Sequence, residues 1–217
     1  HSVAKNKAHA YFLGSDRMPY QMTGISLTPI GNPAIGREIE GYSTVSDAIG
    51  FCFNLDSQEF YSLNFPTANV TWLFSEASGL WTSLSSSGGR HWMNAAVDVF
   101  GKTMVPDYRN GKIYELDFDT YTDNGTSISH LRDTQTVSGA TFGRPDARVF
   151  MDRLRLRLDP GASLVTSIAQ IMMQYSDDSG RTWSSERWTP VGQQGDYGYI
   201  VEWLGLGMFY RRIFRFS

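Results

Sequence analysis

The densest grouping of chemically capable residues is Ser176, Asp178, Gly180, Thr182 and Trp183, spaced S-x-D-x-G-x-T-W. In this spacing a carboxylate can accept several backbone N–H bonds at a hairpin tip. The glycine supplies a positive φ and the tryptophan packs beneath the turn. That is folding chemistry, which holds a turn and breaks no bond. The second grouping is cationic. Arg153, Arg155 and Arg157 alternate with Leu154, Leu156 and Leu158, so a strand sends three guanidinium groups to one face. Arg211, Arg212 and Arg215 form a similar group near the end of the sequence. Such arginines suit an interface or channel, gripping a partner's carboxylates or DNA phosphates. The plainer alternative is a solvated, salt-bridged strand face with acids such as Asp152 and Asp159 nearby. His9, His91 and His130 are far apart and lack metal-ligand spacing. Cys52, flanked by Phe51 and Phe53, fits a buried, unreactive thiol, and a single cysteine excludes an internal disulfide framework. There is no P-loop, dinucleotide glycine fingerprint or nucleophile elbow, so neither cofactor nor metal is expected.

The S-x-D-x-G-x-T-W spacing is also the Asp-box of sialidase-type propellers, where it is a folding device that sits away from any active site. A sialidase would need an arginine cluster, an acid and an activated tyrosine; most other glycosidases need two carboxylates across one cleft. A glycan-binding or glycan-cleaving propeller is therefore the alternative to a non-enzymatic structural protein. The two separate on whether Arg, Tyr and Glu side chains meet in one concave pocket.

These groups must be positioned by an all-β chain. The 217 residues suffice to bury a core. Aromatics make up 14%, charged residues only 19%, and there are 21 glycines, a mix that favours short strands and tight turns. No long amphipathic helix is found, and no apolar run reaches membrane-spanning length. Strands are expected over 49–55 and 59–65 around an Asp56-Ser57 turn, then over 70–74, 80–84, 95–100, 102–105 and 112–117. Arg109-Asn110-Gly111 supplies a hairpin turn in the last pair. The stretches 60–84 and 92–119 resemble each other in kind, as β-propeller blades do, since each hairpin needs a neighbour to cover its apolar face. The Ser- and Gly-rich stretch 127–144 reads as a linker or crossing loop. Beyond it lie expected strands over 149–158, ended by an Asp159-Pro160-Gly161 turn, and over 169–175. A strand opened by Arg181-Thr182-Trp183 and strands over 197–203 and 209–216 follow. Two domains are expected: 1–126 with propeller blades, and 127–217 as a β-sandwich or last elaborated blade. Charge divides the same way, 8 cations against 13 acids in the first part and 11 against 9 in the second. All 11 cations of the second part are arginine, which suits ion pairing and interfaces better than lysine. The opening His1-Ser2 lacks an initiator Met and is set aside, with the expectation that the chain is part of something longer.

The run Ser176-Asp177-Asp178, Gly180, Thr182-Trp183, Glu186-Arg187-Trp188, Gly195, Tyr197, Trp203-Leu204-Gly205 and Phe214-Arg215 resembles the C-terminal pattern of the tail-hub proteins of short-tailed bacteriophages. These are also called packaged-DNA stabilisation or head-completion proteins. Upstream, Tyr61-Ser62-Leu63-Asn64-Phe65-Pro66, Thr71-Trp72, Gly79-Leu80-Trp81 and Asp107-Tyr108-Arg109-Asn110-Gly111-Lys112-Ile113-Tyr114 look like that family's blades, and so does Val149-Phe150-Met151-Asp152-Arg153-Leu154. The chain departs from the pattern at Ser179, where a second glycine is common, and at Leu206-Gly207-Met208-Phe209, where a more basic stretch is expected. The resemblance implies the C-terminal half of a non-enzymatic virion protein. Such a protein forms a homo-oligomeric ring beneath the portal and is assembled in the host cytoplasm. It contacts portal or adaptor and the tail needle or tailspike proteins, and possible phosphate contact with packaged DNA comes with that role. No membrane partner is implied.

Overall fold

The computed structural model describes residues 2–158, 169–192 and 198–217. The expected Asp159-Pro160-Gly161 turn, and Gly195 and Tyr197 of the family pattern, lie outside the described residues. The protein is all-β, with 50% of its residues in strands and 6% in helix. It divides into two compact units, His1–Ile128 and Ser129–Ser217.

The N-terminal unit is a series of antiparallel meanders. The first comprises β1 (Ala4–Lys5), β2 (Ala10–Leu13), β3 (Pro19–Thr23) and β4 (Ser26–Pro29), paired in sequence order. A short helix, α1 (Pro33–Glu40), follows; the Asn32 side chain caps it by accepting from the amides of Ala34 and Ile35 at 3.0 and 2.9 Å. Pro33 suits the first turn, where its missing N–H costs nothing. The second meander is β5 (Ile49–Leu55), β6 (Gln58–Phe65), β7 (Val70–Ser75), β8 (Leu80–Ser86) and β9 (Gly89–Arg90). The third is β10 (Val97–Val99), β11 (Lys102–Pro106) and β12 (Ile113–Leu116), and a small ribbon, β13 (Thr122–Asp123) and β14 (Thr126–Ser127), closes the unit.

The central strand β6 shows how the meanders stack. Alternate residues Tyr61, Leu63 and Phe65 point into one core with Tyr11, Phe74 and the helix residues Ile35 and Ile39. Phe60, on the opposite face, enters a second core with Phe51, Phe53, Met93 and Val105. The second meander is therefore covered on both faces, which explains why β6 reads as a nearly continuous buried run rather than as alternating polarity. On that second face of β6, the buried Asn64 side chain donates to the Met93 carbonyl at 2.6 Å. The Arg109-Asn110-Gly111 turn closes as expected, with the Asp107 amide donating to the Lys112 carbonyl at 2.8 Å and Gly111 at φ 71°.

The C-terminal unit has two layers. One is a sheet ordered β15 (Arg132–Asp133), β23 (Arg211–Phe216), β19 (Gln170–Ser176), β20 (Arg187–Pro190), with β16 (Val137–Ser138) also on β23. The other is an antiparallel ribbon in which β17 (Val149–Phe150) pairs with β22 (Met208–Phe209), and β18 (Arg153–Leu158) with β21 (Tyr199–Leu204). Met173, Val201, Trp203, Leu206 and Phe214 fill the space between, flanked by Leu154, Leu156 and Leu158.

Two local expectations change. The stretch 127–144 is only partly a connection, because Val137–Ser138 and Arg132–Asp133 add to the edge of β23. Thr134 anchors it, its amide donating to the Phe214 carbonyl at 2.8 Å while its hydroxyl accepts from the Phe214 amide at 3.0 Å. Arg181-Thr182-Trp183 open no strand; they complete the loop after β19, because the amides of Arg181 and Thr182 are committed to Asp178, and pairing resumes at Arg187.

Candidate interaction surface of the C-terminal unit

The Asp178 carboxylate organises the hairpin tip. Its Oδ1 accepts from the amides of Arg181 and Thr182 at 3.0 and 2.9 Å and from the Ser176 hydroxyl at 2.7 Å. Its Oδ2 accepts from the Thr182 hydroxyl at 2.6 Å. The Ser176 oxygen in turn accepts from the Gly180 amide at 2.8 Å. Ser179 and Gly180 both take positive φ, 66° and 89°. Ser179 thus occupies the left-handed region, where the family pattern has a second glycine, at a modest backbone cost. Trp183 lies under the turn, within 3.7 Å of where a Gly180 Cβ would stand. The Thr182 hydroxyl and amide, then Ser176, hold the Asp178 carboxyl well below the usual carboxylate range. Because the folded pKa is depressed, the stabilisation is fully present above the ordinary value of 3.8 and is lost as pH falls below it. Asp178→Asn is therefore expected to flatten the acid limb of the stability profile. Urea midpoints between pH 2 and 5 will check this, and equal slopes in both proteins would contradict it.

The arginines separate into two kinds. Arg212 is 4% exposed and inside the unit. Its Nε and Nη2 donate to the two oxygens of Asp177 at 2.6 and 2.7 Å, and Nη1 donates to the Leu206 carbonyl. Its guanidinium also lies over the rings of Tyr175 and Phe209, at 3.9 and 4.2 Å from their centroids. Arg215 makes the same two-point grip on Asp133, 2.7 Å in each bond, and stacks on Trp183 at 3.7 Å. These two tie the tip loop and β15 to the last strand, so their forks are occupied within the unit. Arg211, paired in register with Ser138, is exposed.

Arg153, Arg155 and Arg157 are all exposed on one face of β18, while the leucines between them turn inward. Opposite them on β21 stand Leu204, Glu202 and Ile200. Arg153 and Arg155 both reach Glu202 Oε1 through Nε, at 3.3 and 2.8 Å. The Arg155 hydrogen bond, together with the charges of Arg153 and Arg155, lowers the Glu202 pKa. Among the described residues the face therefore holds three guanidinium groups against one carboxylate, interleaved with half-exposed Ile200 and Leu204. At the other end of the ribbon, Phe150 and Met208 face each other across the strands and are exposed, with Tyr210 and Arg148 beside them. Sequence reasoning found the arginines but missed Asp177, Asp133 and Glu202, whose pairings span 35, 82 and 47 residues and leave no local signal.

In the N-terminal unit, a cleft of about 770 Å³ is lined by Lys5, Asn6, Lys7, Cys52, Asn54 and Glu59, among others. A second, of about 390 Å³, lies between the Asp56-Ser57 turn and the third meander, with Asp98, Glu115 and Asp117 around it. Neither contains an arginine or a tyrosine, so neither assembles the set a sialidase needs. Burial, reinforced by Glu59 and Glu76, pushes the Cys52 thiol up to about 12, which leaves it unreactive near neutral pH. His9 pairs with Glu76 at 3.1 Å and His91 accepts from the Met93 amide. No group of three or more His, Cys, Asp or Glu among the described residues is arranged to hold a metal ion. No helix among them is long and apolar enough to cross a membrane.

The C-terminal unit thus has two layers, with its hairpin tip and β15 tied to the last strand by Arg212 and Arg215. Residues 135–217 match a family model described as Bacteriophage P22 Gp10, beta-sandwich. The match lies wholly inside this unit and supports a phage structural protein. No curated protein matches the chain.

Proposed function

We propose that the chain is a structural subunit of a phage tail, a hub or head-closure ring component that stabilises packaged DNA and seats the distal tail parts. The observation that carries this reading is the match of residues 135–217 to the P22 Gp10 β-sandwich. Two features support it. The hairpin and terminal strand are fastened by bidentate Arg–Asp pairs stacked on aromatic rings, a construction that resists deformation. Large apolar side chains also stay exposed in both units, among them Phe150 and Met208 on the ribbon and Val97 and Ile113 on the third meander. Surfaces of this kind are what assembly covers. The role requires no bond to be made or broken, and its partners are further copies of the chain, portal or adaptor rings and the needle or spike proteins.

Sedimentation velocity on the purified protein, alone and with portal rings from the same phage, tests the reading. The expected result is a concentration-dependent cyclic oligomer that co-sediments with the rings. A strictly monomeric protein with no affinity for them would overturn it.

A further inference from the structure

The two units carry opposite charge, a net −5 on the first and +2 on the second, with arginine as the second unit's only cation besides histidine. A contact between like units of two copies would oppose like charges, whereas the second unit of one copy set on the first unit of another joins opposite ones. Contacts of that head-to-tail kind generate rings when the rotation closes. The Arg153–Arg155–Arg157 face has the character such a contact needs. Among the described residues Glu202 is the one carboxylate paired with it, and Leu204 and Ile200 stand directly across from Arg153 and Arg157. Guanidinium groups interleaved with exposed aliphatic side chains fit a protein surface better than a phosphate lattice, which offers the aliphatics nothing to cover them. On the first unit, the acids Asp56, Asp98 and Asp117 border one cleft, while nearby Glu115 is already neutralised by Lys102 at 2.6 Å.

We propose that the arginine face of β18 and β21 is the contact between subunits, and that its occupant is the acidic N-terminal unit of a second copy, met around Asp56, Asp98 and Asp117. The inference rests on the ring reading and adds which surfaces meet and in which sense. Charge reversal tests it. One variant carries Arg153→Glu and Arg157→Glu, sparing the Arg155–Glu202 pair. The other carries Asp56→Lys and Asp117→Lys, both at exposed positions. Circular dichroism checks that each folds, and Arg153→Gln with Arg157→Gln serves as the milder substitute if the first does not.

By sedimentation velocity, each variant alone should self-associate at least about a hundredfold more weakly than the unaltered chain, as opposed like charges imply. An equimolar mixture should recover to within about tenfold, because each variant then supplies the surface that complements the other. A contact within one chain would show no such rescue. Undiminished assembly of either variant, or a mixture that stays dissociated, overturns the inference and leaves the ring reading standing. So does a loss of duplex-DNA binding by the arginine variant with assembly intact, which would make the face a phosphate surface. If the unaltered chain itself never self-associates, even at low salt, the ring reading fails together with the inference.

Discussion

Asp177→Asn is expected to destabilise the C-terminal unit by about 2–3 kcal/mol. The reason lies with its partner, since Arg212 is buried and Asp177 supplies both oxygens that face its fork. Breaking a buried pair from one side typically costs about 3–5 kcal/mol because a charge is left without compensation. The lower figure applies because the Asp177 side chain is 49% exposed and because Leu206 and the two rings remain on the guanidinium. For a unit of this size the change corresponds to a fall in melting temperature of roughly 10–20 °C. Replacing both partners, Asp177→Asn with Arg212→Met, should cost less than the single change, since no buried charge is then orphaned. Hydrogen exchange of the amides in β19 and β23 reads the local loss directly. A single variant as protected as the unaltered chain, or a double variant worse than the single, would show that the pair is not the clamp described.

Phe65→Ala is expected to cost the N-terminal unit about 3–5 kcal/mol. Phe65 is fully buried at the end of β6, in edge contact with Tyr42, and shares its core with the first meander and α1. Removing the ring leaves a cavity between the stacked layers that rigid sheets cannot collapse to fill. Ile25→Ala, at a fully exposed turn position, is the control and should change stability by no more than about 0.5 kcal/mol. Urea unfolding followed by aromatic circular dichroism distinguishes them, and equal effects would contradict the stacked-meander account.

Much of the fold was legible because strand signals are local. The period-two alternation of Arg153 to Leu158 survives unchanged as exposed arginines and inward leucines. The run 49–55 is a strand to the residue. The hairpin tip was legible for the same reason, since every bond of the Asp178 turn spans four residues or fewer. The first meander and α1 were not seen, because β4 is fully exposed and α1 has only eight residues, too little of either period to register. The arginines illustrate the remaining limit. Arg212 and Arg157 look alike in sequence, yet one is locked between Asp177 and two rings while the other faces solvent. That difference depends on which distant strand lies alongside, a matter of register that composition cannot reveal. Tryptophans divide in the same way: Trp92 and Trp203 are core residues, whereas Trp188 is 55% exposed on the edge strand β20.

The protein is proposed to be a passive building element of a phage tail. A cryo-electron microscopy map of the particle that carries it tests the claim most directly. The account predicts a ring of density beneath the portal into which the two-layered unit of Ser129–Ser217 fits repeatedly, once per subunit. A particle whose tail contains no such density, with the protein free in the lysate, would contradict it.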